Sequence, residues 1–461
     1  MEKQQKVKRK YSYRRLCYLV LAALATVFFF LSWYEFVEQN NQTGHLTGKG
    51  NLAMACGLYF LLYLYIGRGL RAFRIGIERK ANLLASQIMT LFCVNFIEPF
   101  LSSAITGQFR FFSRFLLLYF VLWVLQSVVL LPLIVVMVNL YRRLFPPLEI
   151  LEITGDYHNR LSYKMNQRPD KYHISASVSF REDERKLWEE FQKYDAVLIN
   201  DIPAEPRNRI LKICFDTGKR VYFTPKISDI LVKSAEELNL FDTPLYFNRN
   251  IDRGWLTLTV KRLSDIVLSG IALVLLSPLM GVIALCIKRE DGGPVFFRQE
   301  RQTLGGRVFK IIKFRSMIVD ADKDRGMRPA EENDDRITRV GRKLRPLRLD
   351  ELPQLINIFR GDMSILGPRP EALPMMEQYT EEVPEFRFKL KVKGGLTGYA
   401  QVYGKYNTLP LDKIKLDLYY ILNYSILLDV QIIFETIRIL FQKESTEGFV
   451  SEADRETGEK N

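Results

Sequence analysis

The sequence predicts a three-part chain: an N-terminal α-helical membrane bundle, a central α/β domain and a C-terminal α/β domain that carries a re-entrant membrane helix. Three observations carry this reading. Long uncharged apolar runs are concentrated in the first third of the 461 residues. After residue 148, charged and apolar stretches alternate as they do in soluble α/β sequence. One further apolar stretch, 263–287, is interrupted at Ser277-Pro278 and flanked by cations at both ends. The implied boundaries are 1–147, 148–250 and 251–461, a division that suits the length.

The membrane bundle rests on four apolar runs. The first, 16–34, is long enough for a helix to cross ~30 Å of hydrocarbon. Further spans are expected at 52–66, 83–106 and 115–138; the third contains Glu98 and Pro99, so its centre should face other helices rather than lipid. Lys3, Lys6, Lys8, Arg9, Lys10, Arg14 and Arg15 precede the first span, and Glu35 and Glu38 follow it, which places the N-terminus in the cytoplasm. The apolar core exceeds that of a cleaved leader and lacks a small-residue cleavage site, so a retained anchor is expected.

The central segment reads as alternating strand and helix: strands at 148–153, 174–180, 196–200 and 220–223, with helices at 183–193 and 206–216. This is the pattern of a small doubly wound, Rossmann-like domain. Its first turn, Thr154-Gly155-Asp156, has one glycine where a dinucleotide site wants three, which disfavours nucleotide binding against a spacer or regulatory role.

The stretch 263–287 admits two paths. A spanning helix would carry the rest of the chain across the membrane, whereas a helix broken at Pro278 would dip in and return. Proline removes a backbone donor, and Ser277 can satisfy the freed carbonyl, as a break within a membrane requires. Lys261 and Arg262 on one side and Lys288 and Arg289 on the other favour re-entry.

The net charge of +14 fits anionic lipid and phosphate ligands; no zinc-finger or RNA-binding signature appears, so nucleic acid is not expected as a partner. Five scattered cysteines, none in a Cys-x-x-Cys pair, read as packing residues in a reducing compartment. The three histidines lie far from the acidic motif described next, which argues against a histidine triad or zinc site.

Chemistry concentrates after residue 296. Lys313 and Arg315 would share one strand face, where two cations suit a diphosphate, although an exposed basic strand edge reads equally well. Asp320, Asp322, Asp324 and Glu331 mimic a calcium loop, but Arg325 stands where that loop needs glycine. Asp350 and Glu351 are the chemical centre. Arg336, Arg339, Arg342, Lys343, Arg345 and Arg348 precede them, and Arg360 and Arg369 follow. Arginine forks grip phosphate oxygens, and adjacent carboxylates with Asp362 nearby can hold Mg²⁺ while one attacks phosphorus. An acidic pair at a helix N-terminus, complementing the dipole, is the competing reading.

From about 256 to 445 the sequence resembles the bacterial polyprenyl-phosphate hexose-1-phosphate transferases, in the large form with a four-helix membrane region. The resemblance is carried by Lys261-Arg262 with Asp265, Ser277-Pro278, Gly293-Pro-Val-Phe-Phe-Arg-Gln299, Lys313-Phe-Arg-Ser-Met317, Asp335-Arg-Ile-Thr-Arg339, Leu349-Asp-Glu-Leu-Pro-Gln354, Gly361-Asp-Met-Ser364, Gly367-Pro-Arg-Pro-Glu371, Gly395-Leu-Thr-Gly398 with Ala400-Gln401-Val402, and Leu416-Asp-Leu-Tyr419. It implies that Asp350 attacks the β-phosphate of a UDP-sugar, UMP leaves, and the phosphosugar passes to undecaprenyl phosphate, starting an exopolysaccharide or capsule repeat unit. Mg²⁺ is the implied cofactor, with Asp350 and Glu351 as its ligands or Glu351 as proton acceptor. Lys313, Arg345 and Arg369 match phosphate-binding positions, and Asp417 matches an acidic position of less certain role. A multi-pass protein of the cell membrane with its catalytic domain on the cytoplasmic face follows, with self-association left open. Arg348 and Thr303 depart from the family pattern, as does Lys393-Gly394-Gly395 for the frequent Lys-Pro-Gly. The alternatives are a glycosyltransferase that releases UDP and a non-catalytic membrane scaffold or regulator of polysaccharide assembly.

Overall fold

A computed structural model describes residues 2–40, 49–107, 109–157, 159, 161–238, 242–248, 254–319, 334, 336–404 and 408–440. The calcium-like run 320–333 and Asp335 lie outside the described residues. The chain divides into two compact units, Met1–Pro225 and Lys226–Asn461.

The first unit opens with helices α1 (Glu2–Asn40), α2 (Lys49–Gly69), α3 (Lys80–Thr106) and α4 (Phe112–Leu144). All four are long and apolar enough to cross a membrane. Their largely apolar interior also holds polar bonds between helices. Asn95 donates to Gln126 Oε1 at 2.9 Å, and the Gln126 amide donates to the Ala25 carbonyl at 3.0 Å. Such bonds pair groups that lipid cannot satisfy. Glu98 is 2% exposed, in keeping with the inward-facing centre expected for this helix.

Strands β1 (Leu148–Thr154), β2 (Tyr172–Ser179), β3 (Ala196–Asn200) and β4 (Arg220–Phe223) form one parallel sheet in the order β2-β1-β3-β4. Helices α5 (Leu161–Asn166), α6 (Glu184–Lys193) and α7 (Ala204–Asp216) make the crossovers. The central strands are buried on both faces, as parallel strands covered by crossovers must be. Leu151, Ile153, Val197 and Ile199 pack with Phe191, Ile210 and Cys214; Ile150, Ala196 and Leu198 face the other way. At the end of β1, a side chain on Gly155 would run into the Asp201 carbonyl, so the glycine there serves a close backbone approach.

The second unit begins with α8 (Ile227–Lys233) and a short hairpin, β5 (Glu236–Leu238) and β6 (Leu245–Phe247). Helix α9 (Trp255–Asp291) follows, the fifth candidate span by length and hydropathy among the described residues. It runs through Ser277-Pro278 without interruption, longer than the stretch expected and continuous where a break was anticipated. Ser277 Oγ donates to the Val274 carbonyl at 2.8 Å, the acceptor that Pro278 cannot reach with a donor of its own. The helix can therefore absorb its proline without an orphaned carbonyl at that turn.

Strands β7 (Phe296–Gln302) and β8 (Val308–Phe314) pair antiparallel about a turn at Gly305 and Gly306, both with positive φ. Then come α10 (Arg339–Leu344), a 3₁₀ turn at Leu349–Glu351, α11 (Gln354–Arg360), β9 (Ser364–Leu366), α12 (Leu373–Glu382), a 3₁₀ segment Pro384–Lys391, β10 (Gly395–Thr397), α13 (Tyr399–Tyr403), α14 (Pro410–Leu422) and α15 (Ile426–Leu440). Strands β9 and β10 pair in parallel. Ala272, Leu273 and Leu276 of α9 pack on Phe309, Ile311, Leu355, Ile358 and Met363, and its Ile283 and Ile287 pack on Phe314 and Leu344. A second core, Leu366, Tyr399, Val402, Tyr420, Ile421, Leu428 and Ile432, joins the strand pair to the last helices.

Candidate active site

The acidic pair lies on the 3₁₀ turn Leu349–Glu351, immediately before α11. Arg348 introduces the turn in the left-handed conformation, with φ +53°, costly for a side chain as large as arginine. The Glu351 amide donates back to the Arg348 carbonyl at 3.1 Å and closes the turn. Pro353 then starts the next helix, where a residue without an amide donor does no harm.

The two carboxylates have different surroundings. Glu351 is buried and gripped by two cations: Lys313 Nζ lies 3.0 Å from Oε1, and Arg369 reaches Oε1 at 2.5 Å and Oε2 at 3.5 Å. Burial opposes its ionisation, but Arg369 and Lys313 overcome that and hold the carboxyl well below the usual range. Among the described residues Asp350 makes no hydrogen bond or ion pair. Its carboxyl is pushed up by burial, against the pull of Lys313, Arg345 and Arg369.

Separate elements deliver these groups. Lys313 is at the end of β8, and the buried Asn357 of α11 fixes that strand: its Oδ1 accepts from the Ile312 amide at 3.0 Å and its Nδ2 donates to the Lys310 carbonyl at 2.9 Å. Arg369 follows β9, anchored where the Gly367 amide donates to the Thr397 carbonyl at 3.0 Å and the Gly395 amide to the Pro368 carbonyl at 2.9 Å. Gly367 and Gly395 approach so closely that a side chain on either would strike the other strand's backbone. Arg301 of β7 donates to the Pro370 carbonyl at 2.5 Å, and burial with Arg369 beside it pulls its pKa down to about 10.

Next along the chain, Glu371 is 2.6 Å from Lys413 and 3.5 Å from Lys389, and Lys389 is 3.6 Å from Asp417. Burial pushes the Asp417 carboxyl up to about 6 despite Lys389 and Lys413. The same lysines outweigh burial at Glu371 and hold it at about 2.

Sequence reasoning placed Lys313 and Arg315 on one face for a shared ligand. The strand ends at Phe314, and the Arg315 guanidinium is instead paired with Asp291 at the end of α9, while its Nε donates to the Pro294 carbonyl at 2.8 Å. Lys313 and Arg369 converge on Glu351; Arg345 ends α10 and acts on Asp350 through its charge. Asp417 belongs to the Glu371 cluster. Asp362, expected near the acidic pair, contacts Arg307 at 3.3 Å and Asn357 at 3.3 Å. Arg301, Asn357, Lys389 and Lys413 were not foreseen, because nothing local in the sequence marks one buried cation or amide from a solvated one. Glu371 was visible inside the Gly-Pro-Arg-Pro-Glu run but had no role.

These elements lie within the region that matches a family model. Residues 256–443 match the bacterial sugar transferase family. A UDP-N-acetylgalactosamine-undecaprenyl-phosphate N-acetylgalactosaminephosphotransferase of Aeromonas hydrophila is 39% identical over 254 residues, 54% of this chain and 59% of that protein. A UDP-glucose:undecaprenyl-phosphate glucose-1-phosphate transferase of Klebsiella pneumoniae is 41% identical over 235 residues, 48% of this chain and 49% of that one. The match thus spans about half to three fifths of the length of these two relatives. The exopolysaccharide production protein PSS of Rhizobium leguminosarum bv. phaseoli is 41% identical over 190 residues, which are 39% of this chain but 94% of that protein. With 94% of that relative's length matched at 41% identity, this chain belongs to the bacterial sugar transferase family.

Proposed function

We propose that the chain transfers a hexose-1-phosphate from a UDP-sugar to undecaprenyl phosphate through a covalent phosphosugar on Asp350, the step that starts an exopolysaccharide or capsule repeat unit. One observation carries the assignment: of two adjacent carboxylates, Glu351 is locked between Lys313 and Arg369, and Asp350 is left unpaired within their field. An unpaired carboxylate can attack; a doubly paired one can position.

In the first step an Asp350 oxygen bonds to the β-phosphorus of the donor, and the bond from that phosphorus to the bridging oxygen breaks, releasing UMP. In the second, a phosphate oxygen of the lipid acceptor attacks the same phosphorus, and the Asp350 oxygen leaves. Covalent catalysis splits one transfer into two in-line displacements. Lys313 and Arg369 supply positive charge beside the phosphoryl group as it transfers, a role suited to groups held before the substrate arrives. Glu351 holds those cations in place.

Mg²⁺ bound with the donor would neutralise the diphosphate and ease the departure of UMP. Among the described residues no three carboxylate, histidine or cysteine side chains gather as a metal cage. That suits an ion that takes one or two carboxylates and completes its shell with water and substrate phosphates. Asp350 fits such a ligand; Glu351, with both oxygens facing cations, fits poorly.

The contacts of α9 support a re-entrant placement at the cytoplasmic face. Near its start, Arg262 donates to the carbonyls of Ile358 and Phe359 at 2.8 Å each, and Asp265 accepts from Ser364 Oγ and the Ile365 amide at 3.0 Å. At its end, Asp291 holds Arg315, and Glu290 accepts from the Arg339 amide at 2.7 Å. A helix tied at both ends to one polar domain is poorly suited to carrying those ends to opposite sides of a bilayer. Its outer face leaves Leu263, Val267, Ile271, Val274, Leu275 and Val282 exposed, a surface suited to lipid.

The test is Asp350→Asn in the purified full-length protein, with UDP-glucose and UDP-galactose as donors and undecaprenyl phosphate as acceptor. UMP release should fall by about a thousandfold or more. Turnover at the parent rate, or UDP as the product, would refute the proposal.

A further inference from the structure

Beside the acidic pair is a small pocket to which the reaction just proposed assigns no role. Arg348, Thr397, Gln401, Val402, Thr436 and Ile439 line a cavity of about 10 Å³. Its lining includes Arg348, two residues before Asp350, and Thr397, whose carbonyl accepts from Gly367, two residues before Arg369. The pocket is therefore bounded by the two segments that deliver the proposed nucleophile and its phosphate-binding arginine.

Its polar groups are unevenly satisfied. Thr436 Oγ1 donates to the Ile432 carbonyl at 2.7 Å, so the Thr397 hydroxyl, 2.8 Å away, is the donor in the pair they form. Gln401 Nε2 donates to the Leu396 carbonyl at 3.3 Å, which orients the amide and leaves its Oε1 buried with no hydrogen-bond partner among the described residues. The Arg348 side chain makes no hydrogen bond or ion pair among the described residues, although it lies within the field of Glu351 and Asp350. A buried acceptor and an unengaged donor fork thus belong to residues that line a space for about one water-sized group.

A group that donates to Gln401 Oε1 and accepts from Arg348 must carry both a proton and lone pairs, which describes a hydroxyl. We propose that this pocket reads one hydroxyl of the donor's sugar ring and that Arg348 and Gln401 are the residues that set this specificity. The inference rests on the UDP-sugar reading above. The cavity's size suits a hydroxyl, so the preferred donor carries a free hydroxyl at that ring position. A donor without it would leave Gln401 Oε1 unpaired, a loss of about 10- to 100-fold.

The experiment compares UDP-glucose and UDP-galactose with their 2-, 3-, 4- and 6-deoxy analogues on the full chain in detergent, reading both UMP release and donor binding by calorimetry. One deoxy position should lower kcat/KM and affinity by about 10- to 100-fold, mainly through KM. In Gln401→Leu that penalty should shrink to about threefold or less, because no acceptor remains to be orphaned. Arg348→Ser should shrink it likewise, and Arg348→Lys should restore part of it. Equal penalties in parent and Gln401→Leu, or no sensitive position in the parent, would overturn the inference. Failure of UMP release with every donor would count against the transferase reading, while the binding measurements would still decide the pocket's role.

Discussion

Asp350 and Glu351 are chemically alike and covalently adjacent, yet only their neighbours separate their roles. Burial raises the Asp350 carboxyl above its ordinary value of 3.8, and Lys313, Arg345 and Arg369 restrain the rise. If the ionised carboxylate is the nucleophile, activity increases with pH as Asp350 loses its proton, and the acid limb of the pH–rate profile lies above 3.8. Removing a cation leaves the anion less stabilised, so Arg345→Gln should move that limb to higher pH; a limb that moves lower would contradict the assignment. For Glu351 the prediction concerns stability. Glu351→Gln leaves Lys313 and Arg369 close together without their anion, and denaturant unfolding should show a loss of about 3 kcal/mol. The pH linkage has the opposite sign from that of Asp350. The Glu351 carboxyl is depressed in the folded state, so its contribution is present above the ordinary value of 4.5 and fades as pH falls below it.

Among the elements, α9 is tied to the strand that leads into the site. Its buried Asp265 ties the helix to β9 through the Ser364 hydroxyl and the Ile365 amide, and β9 leads into Arg369. Asp265→Ala should destabilise the second unit by about 2 kcal/mol, because two buried donors lose a charged acceptor. Thermal unfolding and UMP release should decline together, and unchanged unfolding would show that the tie carries no load. The proposed path of α9 is tested by cysteines introduced at Leu256 and Arg289 in a background without native cysteines. A membrane-impermeant thiol reagent should modify both from the same side of a sealed vesicle; modification from opposite sides would establish a spanning helix. The sequence made this element's apolar character and proline plain. It did not show that the helix stays continuous, because the Ser277 bond to the Val274 carbonyl depends on backbone geometry rather than residue type.

On the scale of the whole molecule, the candidate site lies within the second unit. The Rhizobium protein, matched over 94% of its length, corresponds to less than half of this chain. A chain beginning at Lys226 and reconstituted in bilayers should therefore retain UMP release within about tenfold of the parent, since no residue of the proposed machinery precedes that position. Complete loss in a folded truncated protein would give the first unit a part in catalysis. The first unit was the more legible half: apolar length marked its four spans, and strand-helix alternation marked the elements of its parallel sheet. Within the second unit, the sequence showed the acidic pair and a dense field of cations around it.

What the sequence determined by itself was the chemistry at hand: apolar runs long enough for a membrane, two adjacent carboxylates, and an excess of arginine and lysine about them. Those are properties of residue type, spacing and order. Which cation meets which carboxylate was decided by tertiary structure, since Lys313 stands 38 residues before Glu351 and Arg369 stands 18 after it. The strand hairpin and the parallel strand pair bring both to one acid, divert Arg315 to Asp291, and leave Asp350 without a partner. A carboxylate's freedom to react depends on the charges within a few ångströms, and folding sets those distances.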